Sequence, residues 1–417
     1  MSFQIKTFNN IAPAALANFS DQFDLEHDQK PAAVIVRSAD LHDLEFNYDL
    51  RAIVRAGVGV DNIPVQRATE QGIVVFNTPG ANANAVKDLV IAAMIMRARN
   101  IVPAVEWVKN LPVDAEPKFV EAHKKQFAGR ELVGKTLGVV GLGAIGLKVA
   151  SDALKLGMRV LGYDHYMTVE KAWGMDHRIE PVMMLSEIFS ESDFVSLHTP
   201  ANAETEDLID QKTLKFFKPT GQLLNFARGS LVDTSALLKA LDTGRLAGYT
   251  TDFYEPELAK RKDILIFPHL GASTIEAEVT AASIAVETIQ QYLLTGQIQN
   301  SVNFPEVKAK LASPHRFLLI HRNVPGMINH ISKLISDANV NISQMLNRSR
   351  DEYAVSLVDI DQTNQDMLSF LKDSFWKIDE ILRVRLINNF DFKHASAVAT
   401  SDSASTVGNS GITHNNT

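Results

Sequence analysis

The sequence predicts an α/β protein with mainly parallel sheets, followed by a smaller β-α-β-β-α-β unit. Three observations predict it. Short apolar runs rich in β-branched residues alternate with segments of helical periodicity between residues 33 and 292. A Gly-x-Gly-x-x-Gly loop at 141–146 stands between one such run and a helical segment. Beyond Asn303-Phe-Pro-Glu the order of elements changes. At 417 residues the chain is longer than one hydrophobic core serves, so two or three domains are expected.

Residues 33–37, Ala-Val-Ile-Val-Arg, form a continuous apolar run and read as a buried strand, as do 52–55 and 73–76. From 83 to 100, Val86, Leu89, Val90, Ala93, Met94 and Arg97 recur at helical spacing, in the place of a helix connecting two α/β blocks. The second block starts at Lys135, with strands at 136–140 and near 159–163, 194–197, 222–226, 248–252 and 264–267. Residues 273–292 are helical, with apolar side chains at 275, 279, 283, 286 and 289. The third block reads strand 317–321, turn Val324-Pro-Gly, helix 327–338, strands 341–347 and 353–360, helix 364–374 and strand 381–386. From about residue 394 the composition turns to Ala, Ser, Thr, Asn and Gly, which buries too little surface to offset ordering, so 394–417 is expected to be a disordered tail.

Composition narrows the function. Hydrophobic residues are 46% and charged residues 22%, an ordinary globular balance. Lys+Arg 41 against Asp+Glu 49 leaves a net charge of −8, which argues against a grip on a nucleic acid backbone. The absence of cysteine excludes disulfides, a thiolate metal site and a cysteine nucleophile, and no metal site is expected. No apolar run approaches the length of a membrane span, and the first residues do not resemble a secretion signal, so a cytoplasmic protein without membrane contact is expected.

The glycine loop carries the most specific chemistry. It follows a strand, opens a helix at 147–156, and a second strand then ends at Asp164, 23 residues after Gly141. Gly141 permits the tight turn, Gly143 admits a pyrophosphate close to the backbone, and Gly146 lets helix and sheet approach. The helix N-terminus offers N–H donors to phosphate. Asp164 suits the ribose hydroxyls and repels a 2′-phosphate, so NAD is preferred to NADP.

Three later strand ends bring polar residues to the side where such sheets bind ligands. They carry Arg228, then Asp252 with Glu255 and Glu257, then His269 followed by Gly271 and Ala272. Oxidising a 2-hydroxy acid needs a base for the hydroxyl proton, a cation for the carboxylate and a hydride acceptor. Histidine serves as the base, a nearby glutamate stabilises the imidazolium, and arginine presents a planar fork to a carboxylate.

These segments, together with Asn-x-Ala-Arg228-Gly and Pro-His269-Leu-Gly-Ala-Ser, resemble the signatures of the D-isomer-specific 2-hydroxyacid dehydrogenases over roughly residues 30–390. The resemblance implies a Rossmann-type NAD domain at 89–275 and a flavodoxin-like, discontinuous substrate domain at 1–88 plus 276–306. It places the catalytic arginine and histidine at Arg228 and His269. The glutamate stays open: ungapped counting favours Glu257, whereas the Glu-Pro pairing favours Glu255. It also implies that Ala144, Ile145, Thr199, Phe226, Ala227 and Asp252 line the NAD site. Val54-Arg-Ala-Gly57-Val-Gly59-Val-Asp61 and Asn77-Thr-Pro-Gly-Ala-Asn82 resemble the branch of the family that oxidises 3-phosphoglycerate at the entry to L-serine synthesis. That branch implies Arg37 and Ser38 for the substrate phosphate, and Val58, Gly59 and Asn82 for its carboxylate.

The third block, 315–390, is similar to an ACT domain, a ferredoxin-like regulatory module. Its His321-x-Asn323-x-Pro-Gly turn, with Asn341 twenty residues after His321, implies an L-serine effector site. Edge-to-edge pairing of such modules implies a homodimer or homotetramer. Two rival readings stand beside this one: a hydroxypyruvate or glyoxylate reductase of the same family, and a non-catalytic NADH-sensing binding protein.

Overall fold

A computed structural model describes residues 2–27, 29–167, 173–362 and 364–389. The expected tail at 394–417 lies outside the described residues. Contacts divide the chain into two compact units, Gly80–Glu278 and the pair of segments Met1–Pro79 with Val279–Thr417.

In the second segment pair, the first 79 residues supply strands β1 (Phe3–Phe8), β2 (Phe23–Asp24), β3 (Ala33–Val36), β4 (Ala52–Arg55) and β5 (Val74–Phe76). All pair in parallel, in the order β2-β1-β3-β4-β5, which is the flavodoxin-like order. β3, β4 and β5 were legible as continuous apolar runs because both faces of a parallel strand are covered. β1 and β2 are additions. The β1 sequence Phe-Gln-Ile-Lys-Thr-Phe is half-exposed along most of its length and lacks such a run.

Unit Gly80–Glu278 holds a seven-stranded parallel sheet: β6 (Thr136–Val140), β7 (Arg159–Tyr163), β8 (Ile179–Pro181), β9 (Phe194–Leu197), β10 (Gln222–Asn225), β11 (Gly248–Thr251) and β12 (Ile264–Ile266). Its order, β12-β11-β10-β9-β6-β7-β8, reverses direction between β6 and β9 and so opens a ligand crevice at their carboxyl ends. Apolar cores cover both faces of this sheet.

The helix Ala83–Ala98 corrects an expectation. It is no bridge between blocks: Val86, Val90, Ala93 and Met94 pack with Val139, Leu142, Val149 and Ala150 in the core of the nucleotide sheet. The boundary therefore falls at Pro79/Gly80 rather than at residue 88, because the whole helix buries its apolar face on that side. It stops at Ala98; Asn100 takes a left-handed φ of 50° and a second helix, Ile101–Lys109, begins.

The third block forms an antiparallel sheet of β13 (His315–Arg322), β14 (Ile342–Arg350), β15 (Tyr353–Ile360) and β16 (Ile381–Asn388), ordered β14-β15-β13-β16. The helices Met327–Asp337 and Gln365–Phe375 cover one face, with Phe317, Leu319, Ile331, Val358, Leu368 and Phe375 as core. This is the β-α-β-β-α-β arrangement. It belongs to the same compact unit as the five-stranded sheet rather than standing as a third body.

Candidate active site

The glycine loop is built as its residue types require. Gly141 has a φ of 93°, and a Cβ there would stand 2.7 Å from the His198 carbonyl oxygen. A Cβ at Gly146 would overlap the Gly141 carbonyl, so the turn closes only with glycine at both places. Gly143 meets nothing within 4 Å, leaving open space over the N-terminus of the helix Ala144–Lys155. Asp164 joins the loop: its Oδ2 accepts the Leu142 N–H and its Oδ1 the Tyr166 N–H, both at 2.8 Å. Each oxygen keeps a lone pair for a ribose hydroxyl.

Across the switch point, β9 runs into His198 and Thr199. His198 bonds the Ser196 hydroxyl at 2.8 Å, and desolvation pushes its pKa down to about 4, so it stays neutral. The Thr199 Oγ1 is buried and has no partner among the described residues, as is the Asn82 Oδ1 at the start of the helix Ala83–Ala98. Unpaired buried acceptors and donors of this kind fit a polar ligand. With the open glycine cradle they fit a dinucleotide. Ala144 and Ile145 open the helix at the same loop. Phe226 packs in the core, its ring 5.8 Å from that of Phe267.

Arg228, Glu255, Glu257 and His269 all follow strands of this sheet at their carboxyl ends. Arg228 is exposed; its backbone is fixed by Asn225, whose Nδ2 donates to the Arg228 carbonyl at 2.8 Å. His269 is exposed at a left-handed φ of 56°, beside Phe253 at 5.4 Å. Asp252 explains how that conformation persists. Its two carboxylate oxygens accept the N–H groups of Leu270 and Gly271, each at 2.7 Å. Asp252 thus braces the histidine loop, a structural task that accompanies the cofactor-lining role implied by resemblance. Ala272 is exposed on the same loop.

Neither glutamate bonds His269 here. Glu255 accepts the Thr234 hydroxyl at 2.7 Å, whereas Glu257 is exposed and makes no hydrogen bond or ion pair among the described residues.

In the other unit, Arg37 and Ser38 follow β3. Asn9, at a left-handed φ of 66°, turns its Oδ1 to the N–H groups of Ser38 (2.9 Å) and Ala39 (2.7 Å) and sets that turn. The structure adds Arg55, which sequence reasoning passed over. Its Nε donates to the Arg37 carbonyl at 3.2 Å, and Gly57 leaves room for its guanidinium, which a Cβ there would strike. The signal was present: Arg55 ends β4 as Arg37 follows β3, its neighbour. Val58 and Gly59 follow in a loop held by Asn77, whose Nδ2 donates to the Val58 carbonyl at 2.7 Å.

The effector residues separate. His321 is only 1% exposed, with Nδ1 on the Arg322 carbonyl (2.9 Å) and Nε2 on the Ser356 hydroxyl (3.0 Å), and burial lowers its pKa. It is part of the sheet interior, with both ring nitrogens engaged. Asn323 and Asn341 are exposed, but they flank opposite ends of the β14–β15 ladder, whose β14 side runs from Ile342 to Arg350, about 26 Å along the strand.

A glycine loop at a switch point, an acid closing the second strand, and an Arg–His pair on later strand ends define a dinucleotide-binding module of the dehydrogenase type. Residues 91–271 match the family D-isomer specific 2-hydroxyacid dehydrogenase, NAD binding domain. The chain is 40% identical over 282 residues to a D-3-phosphoglycerate dehydrogenase from Synechocystis sp., covering 66% of this chain and 49% of that one. It is 38% identical over 248 residues to a glyoxylate reductase from Pyrococcus furiosus, covering 58% of this chain and 72% of the relative. Among solved structures, NAD+-bound 3-phosphoglycerate dehydrogenase from Entamoeba histolytica superposes with a TM-score of 0.55 at 26% identity, over 73% of this chain and 99% of that one. The chain belongs to the D-isomer-specific 2-hydroxyacid dehydrogenase family and carries its NAD-binding domain. It spans about half the length of the Synechocystis relative. No helix among the described residues is long and apolar enough to cross a membrane.

Proposed function

We propose that the protein oxidises 3-phospho-D-glycerate to 3-phosphohydroxypyruvate with NAD, in the cytoplasm, as the first step of L-serine biosynthesis. The observation that carries the choice of substrate is the pair Arg37 and Arg55 at neighbouring strand ends, two cations suited to a phosphate. Arg228 holds the substrate carboxylate and polarises the reacting oxygen, and His269 accepts the hydroxyl proton. Glu257 supports the imidazolium, since Glu255 is engaged by Thr234. The bound nicotinamide supplies the hydride acceptor.

Purified protein with NAD and 3-phosphoglycerate at alkaline pH is expected to form NADH, and to reduce hydroxypyruvate or glyoxylate poorly. The reverse ranking would make it a reductase; NADH binding without either reaction would make it a sensor. Arg37→Ala is expected to lower kcat/KM for phosphoglycerate by roughly 10- to 150-fold, the worth of a charge-assisted bond of about 1.5–3 kcal/mol. An unphosphorylated 2-hydroxy acid should be almost unaffected. Equal losses on both substrates would give Arg37 a structural role.

For regulation we propose L-serine. Asn323 and Asn341 of one chain are too far apart for one amino acid, but β14 is an edge strand with a largely exposed face. Antiparallel pairing of two β14 edges would set Asn341 of one copy beside Asn323 of the other, giving a homo-oligomer with serine at the seam. Serine titrated into the wild type is expected to lower kcat, and Asn341→Ala to abolish the response. No calorimetric binding at millimolar serine in the wild type would reduce the C-terminal sheet to an assembly module.

A further inference from the structure

The strand β11, Gly-Tyr-Thr-Thr, is wholly buried yet carries a phenol and two hydroxyls. Tyr249 is 3% exposed and packs with Leu223, Leu237, Leu258 and Ile264 in one core of the nucleotide sheet. Phenylalanine would serve that packing as well, so the hydroxyl needs its own reason, because a buried O–H is costly unless bonded. Its partner comes from β10: Asn225 Nδ2 donates to the Tyr249 oxygen at 3.2 Å. The parallel register sets Leu223 opposite Tyr249 and Asn225 opposite Thr251. Residues two apart share a face, so the phenol reaches toward the carboxyl end of the sheet to meet the Asn225 amide. Burial pushes the Tyr249 pKa up to about 12, against the pull of hydrogen bonds with Thr251 and Asn225, so the hydroxyl stays protonated.

Asn225 is itself fully buried, and both ends of its amide are engaged. Oδ1 accepts the Ala227 N–H at 3.2 Å, and Nδ2 donates to the Arg228 carbonyl at 2.8 Å as well as to Tyr249. The two backbone partners fix which end of the amide is oxygen, because a flipped amide would face N–H with N–H and carbonyl with carbonyl. The Ala227 carbonyl in turn accepts from Arg228 Nη1 at 2.7 Å, the one side-chain partner of Arg228 among the described residues. The exposed guanidinium therefore rests on a peptide that Asn225 holds, and the Asn225 amide is steadied by Tyr249. A solvated arginine has many rotamers and little else to orient it.

We propose that Tyr249 is a positioning residue for Arg228: its hydroxyl fixes the Asn225 amide, and Asn225 fixes the turn 225–228 that presents the guanidinium to the substrate carboxylate. This rests on the role proposed for Arg228. Without the hydroxyl, one buried Asn225 N–H has no partner and the turn loses a restraint. Small displacements of a positioning group are costly to a reaction. The glycine loop and Asp164 lie on other strands and stay as they are.

The test is a double-mutant cycle of wild type, Tyr249→Phe, Arg228→Ala and the double variant. Steady-state kinetics are run with 3-phosphoglycerate and, in reverse, with hydroxypyruvate, beside NAD titration and thermal unfolding. Tyr249→Phe is expected to lower kcat/KM by about 5- to 30-fold, the lower part of what an orphaned buried donor costs, chiefly through KM and with NAD affinity unchanged. In the Arg228→Ala background the same change should cost less than about twofold, as expected when one residue acts through the other. Tyr249→Met, which loses the hydroxyl with a different shape, should raise KM alike whatever its Tm. Leu237→Val, a defect in the same core without a polar atom, should lower Tm and leave KM alone. Equal losses with and without Arg228, or a KM rise in Leu237→Val matching that of Tyr249→Phe, would overturn the role of Tyr249 and leave that of Arg228 standing. Normal turnover by Arg228→Ala would overturn both.

Discussion

His269→Ala is expected to lower kcat by about 10²–10⁴-fold, the usual contribution of a positioned general acid–base, with NAD affinity nearly unchanged. The separation of the two effects follows from how the loop is held. Asp252 fixes the backbone of Leu270 and Gly271 through both its oxygens, so the loop does not depend on the imidazole it presents. Removing the ring takes away the proton acceptor and leaves the glycine loop and Asp164, which sit on other strands, intact. Steady-state rates with NAD-binding titrations check this, and near-normal turnover would remove His269 from the chemistry. Glu257→Gln should shift the pH–rate profile, whereas Glu255→Gln should act through the Thr234 contact on stability. The opposite pattern would exchange their roles.

The parts of this protein legible in its sequence are those whose physics is local. Buried parallel strands announce themselves as apolar runs, and the glycine loop shows because only glycine tolerates the approach of His198 and Gly141 carbonyls. Arg228 and His269 stand out in the sequence because each comes three residues after an apolar strand, and the structure places both past the carboxyl ends of β10 and β12. What escaped depends on contacts distant in sequence. Asn9 acts on Ser38 and Ala39 across 29 and 30 residues, and Arg55 acts on Arg37 across 18. The burial of His321 escaped for a related reason: a histidine at a strand end is exposed or buried according to which sheet face it occupies, and this face is covered. Arg383 and Arg385 of β16 alternate with Val384 and Leu386, a pattern that suggests a solvated outer face. Their carbonyl partners come from residues 48, 71, 292 and 293, which no window on the third block contains.

Arg316 and Asp359 set the largest expected effect on stability. Both are buried, 0% and 1% exposed, and joined by two hydrogen bonds of 2.5 and 2.8 Å between neighbouring strands β13 and β15. Asp359→Ala leaves a guanidinium without its counter-charge in the interior, which typically costs 3–5 kcal/mol. Three carbonyls, those of Thr295, Ala309 and Lys310, still accept from Arg316 and hold it in place, so it has no easy exit to water. For the same reason the paired replacement Arg316→Met with Asp359→Leu should not be neutral, as an isolated buried ion pair often is, because those three carbonyls then lose their donor at about 1 kcal/mol each. Urea unfolding followed by tryptophan fluorescence, with Trp376 reporting from the third block, measures both variants. NAD affinity, which resides in the other unit, shows whether the loss stays local. A cost below about 1 kcal/mol for Asp359→Ala would mean that solvent reaches Arg316 and that the ion pair adds little to the joining of β13 and β15.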